Sequence, residues 1–221
     1  MKTVKILVFS ICFFNMSFSQ NSEVGNWLVY FGNQKIDSKW NWHNEIQLRN
    51  YNFFGDTNQL LLRTGIGYNL SENNNNVLFG YGFINSQKYV TNSVNKVQSN
   101  EHRIFQQFIT KQQFDRFFIQ HRYRIEERFL QSNFQCRFRY FLGINIPMNK
   151  KTLEKNAIYL ASYNEIFINS KSAVFDRNRI YGAIGFVLNK NFKIEGGYMT
   201  QALENSNYNQ FQIVIFNNLP L

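Results

Sequence analysis

Ile119-Gln120-His121-Arg122-Tyr123-Arg124-Ile125-Glu126-Glu127-Arg128-Phe129 changes chemistry residue by residue. Ile119, Tyr123, Ile125 and Phe129 share one parity, and Gln120, Arg122, Arg124, Glu126 and Arg128 share the other. Successive side chains of a β-strand point to opposite faces, so this period of two describes a strand with one apolar and one charged face. After a short break the pattern returns. Phe134, Cys136, Phe138, Tyr140, Leu142, Ile144 and Ile146 oppose Gln135, Arg137, Arg139 and Asn145.

The same alternation extends outward from this pair. Ile46 and Leu48 oppose Glu45, Gln47 and Arg49; Ile180, Ile184, Phe186 and Leu188 oppose Arg177, Arg179, Tyr181 and Gly185; Phe211, Ile213 and Ile215 finish the series. Candidate strands fall at about 24–32, 38–51, 57–69, 76–90, 100–113, 116–129, 133–146, 156–169, 176–188, 191–203 and 207–217. The intervening segments, such as Ser71-Glu72-Asn73-Asn74-Asn75-Asn76, are rich in residues that favour turns. A membrane barrel whose chain enters and leaves on the same side has an even strand number. The eleven segments are therefore expected to resolve into ten or twelve strands.

The first residues read as an export leader. Lys2 and Lys5 form a basic segment, Ile6 to Phe14 an apolar core and Ser17-Phe18-Ser19 a small-x-small site, which predicts cleavage before Gln20. The domain reading is thus a signal peptide over residues 1–19 and one barrel over residues 20–221. The apolar core is well short of the roughly 20 residues a spanning helix requires, and no later segment approaches that length. Without Lys2 and Lys5, 22 Lys+Arg face 14 Asp+Glu, leaving a mature charge of +8. Cys136 is the only cysteine after the leader, so no intramolecular disulfide can staple the fold. Only two prolines interrupt the chain and aromatics make up 18% of it, both of which favour long strands.

Period alone does not say which face is inside. A soluble lipocalin-like barrel would turn its apolar face inward, whereas a membrane barrel does the reverse. Residue choice favours the second. Ten of eleven arginines alternate within strands, while Lys35, Lys96, Lys150, Lys151, Lys155, Lys171 and Lys190 fall in expected loops. The rigid guanidinium fork suits bidentate pairing with carboxylates in a confined space. The fold expected is therefore all-β: a closed, antiparallel, up-and-down transmembrane β-barrel of about 10–12 strands in the outer membrane.

Its lumen is expected to hold an ion-pair network of Glu45, Arg49, Arg63, Glu101, Arg103, Arg122, Arg124, Glu126, Arg128, Arg137, Arg139, Glu165, Arg177, Arg179 and Glu195. Such a network fits a structural role or a narrow channel for small solutes, with surplus arginine attracting a small anionic solute. Partners expected are outer-membrane lipid, lipopolysaccharide and the barrel-insertion machinery, for which Phe216 is the candidate terminal aromatic residue.

Enzymatic readings rest on few residues. His121, Ser162 and Asn164 share lipid-face parity, the arrangement an outer-membrane lipid hydrolase would need, but they lie on strands separated by another. No catalytic residue is assigned. His43, beside Trp40 and Trp42, reads as part of an interfacial aromatic belt. His102 and His121 lack metal-ligand spacing to any cysteine, and the Gly65-x-Gly67 and Gly80-x-Gly82 pairs lie in strands, so neither metal nor cofactor is expected. Export and the two-faced pattern argue against nucleic-acid binding.

Several blocks, in order, carry a family resemblance: Glu101-x-Arg103-x-Phe105-Gln106-Gln107, His121-Arg122-Tyr123-Arg124-x-Glu126-x-Arg128-Phe129, Arg137-Phe138-Arg139-Tyr140, Tyr163-Asn164-Glu165-Ile166-Phe167, Asp176-x-Asn178-Arg179 and Gly197-Tyr198-Met199. Together they resemble the domain-of-unknown-function family 2490, exported bacterial proteins of uncharacterised function. The resemblance covers essentially the whole chain after the leader. It implies an outer-membrane barrel and transfers no catalytic residue.

Overall fold

Alternation becomes strand along almost the whole described chain. The structure, a computed structural model, describes residues 24–53, 55–71, 74–171 and 173–221; the leader assigned to residues 1–19 lies outside them. The strands are β1 (Gly25–Lys35), β2 (Trp40–Asn50), β3 (Thr57–Asn69), β4 (Asn75–Tyr89), β5 (Lys96–Phe114), β6 (Phe117–Leu130), β7 (Asn133–Pro147), β8 (Ile158–Asn169), β9 (Phe175–Val187), β10 (Phe192–Ala202) and β11 (Asn207–Asn217). No helix occurs among the described residues.

Each strand pairs with its sequence neighbours and β1 closes onto β11, giving a barrel without a free edge. Closure satisfies the backbone ladder of every strand from within. The expected even count is corrected here: eleven strands form the barrel. An odd number of up-and-down strands leaves the first and last running in the same direction. The seam is accordingly parallel, with Trp27 opposite Gln212 and Phe31 opposite Phe216, while the other ten pairings are antiparallel.

Turns follow local chemistry. Asn92, Asp115 and Asn156 take positive φ, a conformation that asparagine and aspartate tolerate better than branched residues. Between β1 and β2, Oδ1 of Asp37 accepts from the backbone N–H of Lys39 and of Trp40, both at 2.7 Å. Arg116, in the two-residue turn after β5, donates through Nη2 to the carbonyls of Pro147, Met148 and Lys150 and so ties down the β7–β8 connection.

The two faces of the wall are chemically opposite. Phe79, Ile180, Ile184, Ile46 and Tyr123 stand 61%, 58%, 63%, 48% and 49% exposed on the outside, whereas Arg124 and Glu126 are buried inside. The interior contains both the charges and a set of aromatic rings. One apolar cluster joins Trp27, Val29, Tyr181, Met199 and Val214 on the β1, β9, β10 and β11 side, with Phe31 and Phe216 packed against it. Phe216 therefore faces inward, stacked on Phe31 with centroids 5.5 Å apart. Two inward glycines make room for large rings: a Cβ at Gly80 would lie 2.4 Å from Phe105, and one at Gly185 only 2.2 Å from Tyr159.

Candidate functional site

Inward parity on β2, β3 and β5 to β9 delivers arginine and glutamate to one interior, and register decides who meets whom. Glu126 is fully buried and sits at the hub. It accepts from Arg139 Nη1 at 2.5 Å and Arg137 Nη2 at 2.6 Å, both on the neighbouring β7. Arg124 Nη1 lies 3.5 Å away, and Arg63 and Arg103 each approach to 3.7 Å. Arg63 comes from β3, three strands distant, so this contact spans the lumen. Arg63 also binds Glu45 at 2.6 Å.

Glu165 accepts from Arg122 at 2.7 Å and Arg139 at 2.6 Å, with Arg179 at 3.8 Å. Glu101 takes two forked pairs, from Arg103 at 2.6 and 3.0 Å and from Arg128 at 2.6 and 3.1 Å. Side-by-side N–H donors matched to two carboxylate oxygens make such pairs strong and directional. Buried charges of this kind are tolerable only when their partners are in place.

Two of the residues assigned to the network differ from that description. Glu195 faces inward but meets no arginine among the described residues; the hydroxyls of Tyr159 and Tyr181 donate to it at 2.9 and 3.5 Å. Arg49 has no carboxylate partner among the described residues. It donates to Gln47 at 2.6 Å and Gln59 at 2.6 Å and lies over the Trp27 ring at 3.8 Å. Three further expectations are corrected. His43 shares the parity of Glu45, faces inward and places Nε2 3.6 Å from its carboxylate, so it is not a belt residue. Lys35 closes β1 and Lys96 opens β5 instead of lying in loops.

Several interior residues are not evident from the sequence pattern. Asp176 stands at the start of a candidate strand, yet it meets Arg137 at 2.8 Å and Arg177 at 3.0 Å. A bulge accounts for it: Phe167 pairs with Arg177 and Ile168 with Phe175, so Asp176 is the extra residue, and an extra residue re-aims its side chain. Phe167 is a second such residue. Its ring lies under four guanidiniums, those of Arg139, Arg179, Arg137 and Arg177, at 4.4, 4.6, 5.2 and 5.9 Å. Its shared parity with Glu165 is the signal that would have found it. Phe105 plays the same part beneath Arg124 at 4.6 Å, where Gln107 accepts the guanidinium at 2.5 and 2.8 Å.

The outward residues considered for hydrolysis are not joined. His121 Nδ1 meets Tyr140 Oη at 2.9 Å, Asn164 donates to Asn178 at 2.7 Å, and β7 runs between His121 and Ser162. No cluster of metal-ligating side chains occurs among the described residues.

A cavity of about 520 Å³ occupies the half of the barrel where β1 ends. It runs from Lys35, Lys111 and Asn218 at the rim down to Arg49, Arg63 and Glu45. Glu101, Arg103, Arg128, Arg137 and Asp176 lie beyond its lining, in the opposite half.

The model of a family described as "Protein of unknown function (DUF2490)" matches residues 24–212. No curated protein and no solved structure matches the chain. The blocks that carry the resemblance fall on β5 to β10, where they supply Glu101, Arg103, Arg122, Arg124, Glu126, Arg137, Arg139, Glu165 and Arg179 to the interior. By a match that covers β1 to β10 whole, reaches into β11 and takes in most of its length, the chain belongs to the DUF2490 family.

Proposed function

We propose that this protein is exported and resides in the outer membrane as a non-enzymatic, structural β-barrel, blocked in one half by ion pairs and open in the other as a vestibule. One observation carries the reading: apolar side chains cover the outer wall while paired charges fill the interior. Water would reverse that arrangement, as in a lipocalin-like barrel; lipid requires it. Strands of 11 to 19 residues also meet or exceed the roughly 9–11 that a tilted strand needs to cross a bilayer. Lysines at the loops of the vestibule end, among them Lys39, Lys150, Lys151 and Lys190, suit the phosphates of lipopolysaccharide.

Spin labels test the facing directly, in a Cys136→Ser background. A label at Ile184→Cys should be relaxed by oxygen dissolved in the bilayer and not by a water-soluble nickel complex. If the nickel complex reaches that position in vesicles, the bilayer reading is wrong.

A narrow channel for small solutes is the second reading, favoured by the surplus of arginine over carboxylate along the cavity. Planar bilayers separate the two. The blocked barrel gives no unitary current, and replacing Arg137 and Glu126 together with alanine opens one; steady anion-selective current from the unmodified protein would instead establish the channel.

A further inference from the structure

The vestibule has two unlike walls. Arg63, Arg122, Arg124 and Arg139 line one side, and Arg49 and Arg179 the floor. Trp27, Val29, Tyr181, Val214, Phe31 and Phe216, on β1, β9 and β11, line the other. Lys35, Lys111 and Lys193 add positive charge, against only Glu45, Glu165 and Glu195 among the lining carboxylates. Nine cationic groups thus face three anionic ones.

The charge surplus is accompanied by unfilled donor capacity. Nε of Arg63 and Nε of Arg122 are buried without a hydrogen-bond partner among the described residues, and the Arg63 side chain is only 4% exposed. Glu165 already serves Arg122 and Arg139, and Glu45 serves Arg63. Glu126, just outside the lining, serves Arg139 at 2.5 Å and stands 3.5 Å from Arg124 and 3.7 Å from Arg63. Even with that fourth carboxylate the cations outnumber the anions, Arg124 makes its shorter bonds to Gln107, and Arg49 is held by glutamine amides. A network built solely to neutralise itself would match charges and leave no buried donor idle. Trp27, moreover, already carries the guanidiniums of Arg49 and Arg179 over its ring, at 3.8 and 5.0 Å, and Phe141 that of Arg122 at 4.6 Å, so the apolar and cationic walls meet inside the cavity. About 520 Å³ is within the range of cavities that enclose a small organic molecule.

We propose that the vestibule binds an organic anion in which a carboxylate or phosphate is joined to an aromatic or otherwise apolar body. The anionic group lies against Arg63 and Arg122, and the apolar body rests against Trp27, Tyr181 and Phe216. Lys35 and Lys111 at the rim raise the local concentration of anions and set the direction of entry. The proposal goes beyond the membrane reading, since the cavity is interior whatever surrounds the barrel.

Isothermal titration of the barrel in lipid nanodiscs, with empty nanodiscs as reference, tests it using 2-naphthoate, its neutral amide and inorganic phosphate. The expected result is saturable binding of naphthoate at least tenfold tighter than either of the others. Equal binding of the amide overturns the ionic half, equal binding of phosphate overturns the apolar half, and no binding of naphthoate overturns the whole. Arg122→Met should weaken naphthoate at least tenfold, and Lys111→Gln a few-fold with a smaller dependence on salt; the three-probe comparison decides even where Arg122→Met fails to fold. Flotation of the same protein with vesicles is read separately, so a barrel that stays in buffer yet binds naphthoate loses the bilayer and keeps the site.

Discussion

Arg63 on β3 and Glu126 on β6 approach to 3.7 Å across the barrel interior, although two strands of wall, β4 and β5, separate them. Contacts between adjacent strands hold any sheet. This one braces the cylinder through its centre, and it does so from a carboxylate that four other guanidiniums also surround.

Glu126→Gln should therefore be among the most damaging single changes in the chain. It leaves Arg137, Arg139, Arg103, Arg124 and Arg63 close together without their shared counter-charge, a loss of about 3–5 kcal/mol for a broken buried network. Urea unfolding in detergent micelles, followed by the heat-dependent shift of the folded band on gels, measures it. A midpoint unchanged within error would mean that the arginines are neutralised elsewhere.

Phe167 should matter as much as any charge. Phe167→Ala removes the ring beneath four guanidiniums and opens a cavity in a packed interior, costing about 3–5 kcal/mol. Phe167→Leu restores apolar volume but not the ring face, and the remaining deficit of about 2 kcal/mol isolates the cation–π part. If leucine and phenylalanine give the same unfolding midpoint, the ring serves as volume alone.

How much of this is legible in the sequence depends on which physical rule governs each residue. Strict alternation makes the strands readable almost residue by residue, and it places Arg122, Arg124, Glu126, Arg137 and Arg139 on one face. Glu195 obeys the same parity but not the same neighbourhood, because register, which pattern does not reveal, sets it opposite Val214 and near Tyr159 instead of beside an arginine. Asp176 escapes the pattern because a bulge breaks the parity that would give its direction. His43 misleads because flanking tryptophans suggest a belt, while its own parity points inward. The aromatic rings of the interior are hidden by a rule of thumb: in a wall with a greasy outside, inward phenylalanines such as Phe105 and Phe167 are recognisable only by position.

Tyr159 and Gly185 should behave as one unit. Gly185→Ala places a Cβ where the Tyr159 ring lies, so the ring must move and its hydroxyl leaves Glu195; an overpacked site of this kind costs about 1–3 kcal/mol. Tyr159→Phe removes only the hydrogen bond to a charged acceptor, about 1.5–3 kcal/mol. In the double variant the two costs should fall short of their sum. Full additivity in the unfolding cycle would show that Gly185 does not act through Tyr159.

At the opposite end of the barrel, acid should loosen a tie between connections. Burial is the largest single influence on the Asp56 carboxyl and raises it, but the hydrogen bonds from Lys96 and Tyr89 and the Lys96 charge together outweigh it and hold the group below its ordinary value. A carboxyl lowered on folding contributes stability that is present above its unfolded value of about 3.9 and is lost as the pH falls through the lower folded value. Tyr89 ring resonances followed by NMR should report release in that range. A transition centred above the ordinary aspartate value would contradict the assignment, and Asp56→Asn should abolish the transition altogether.

The parallel seam between β1 and β11 has a topographical consequence. An odd number of strands makes up the wall, so Gly25, where β1 begins, and Asn217, where β11 ends, lie at opposite rims. If the barrel sits in a membrane, a fusion attached before the first strand and another attached after the last would be displayed in different compartments, giving this wall two faces that can be addressed independently.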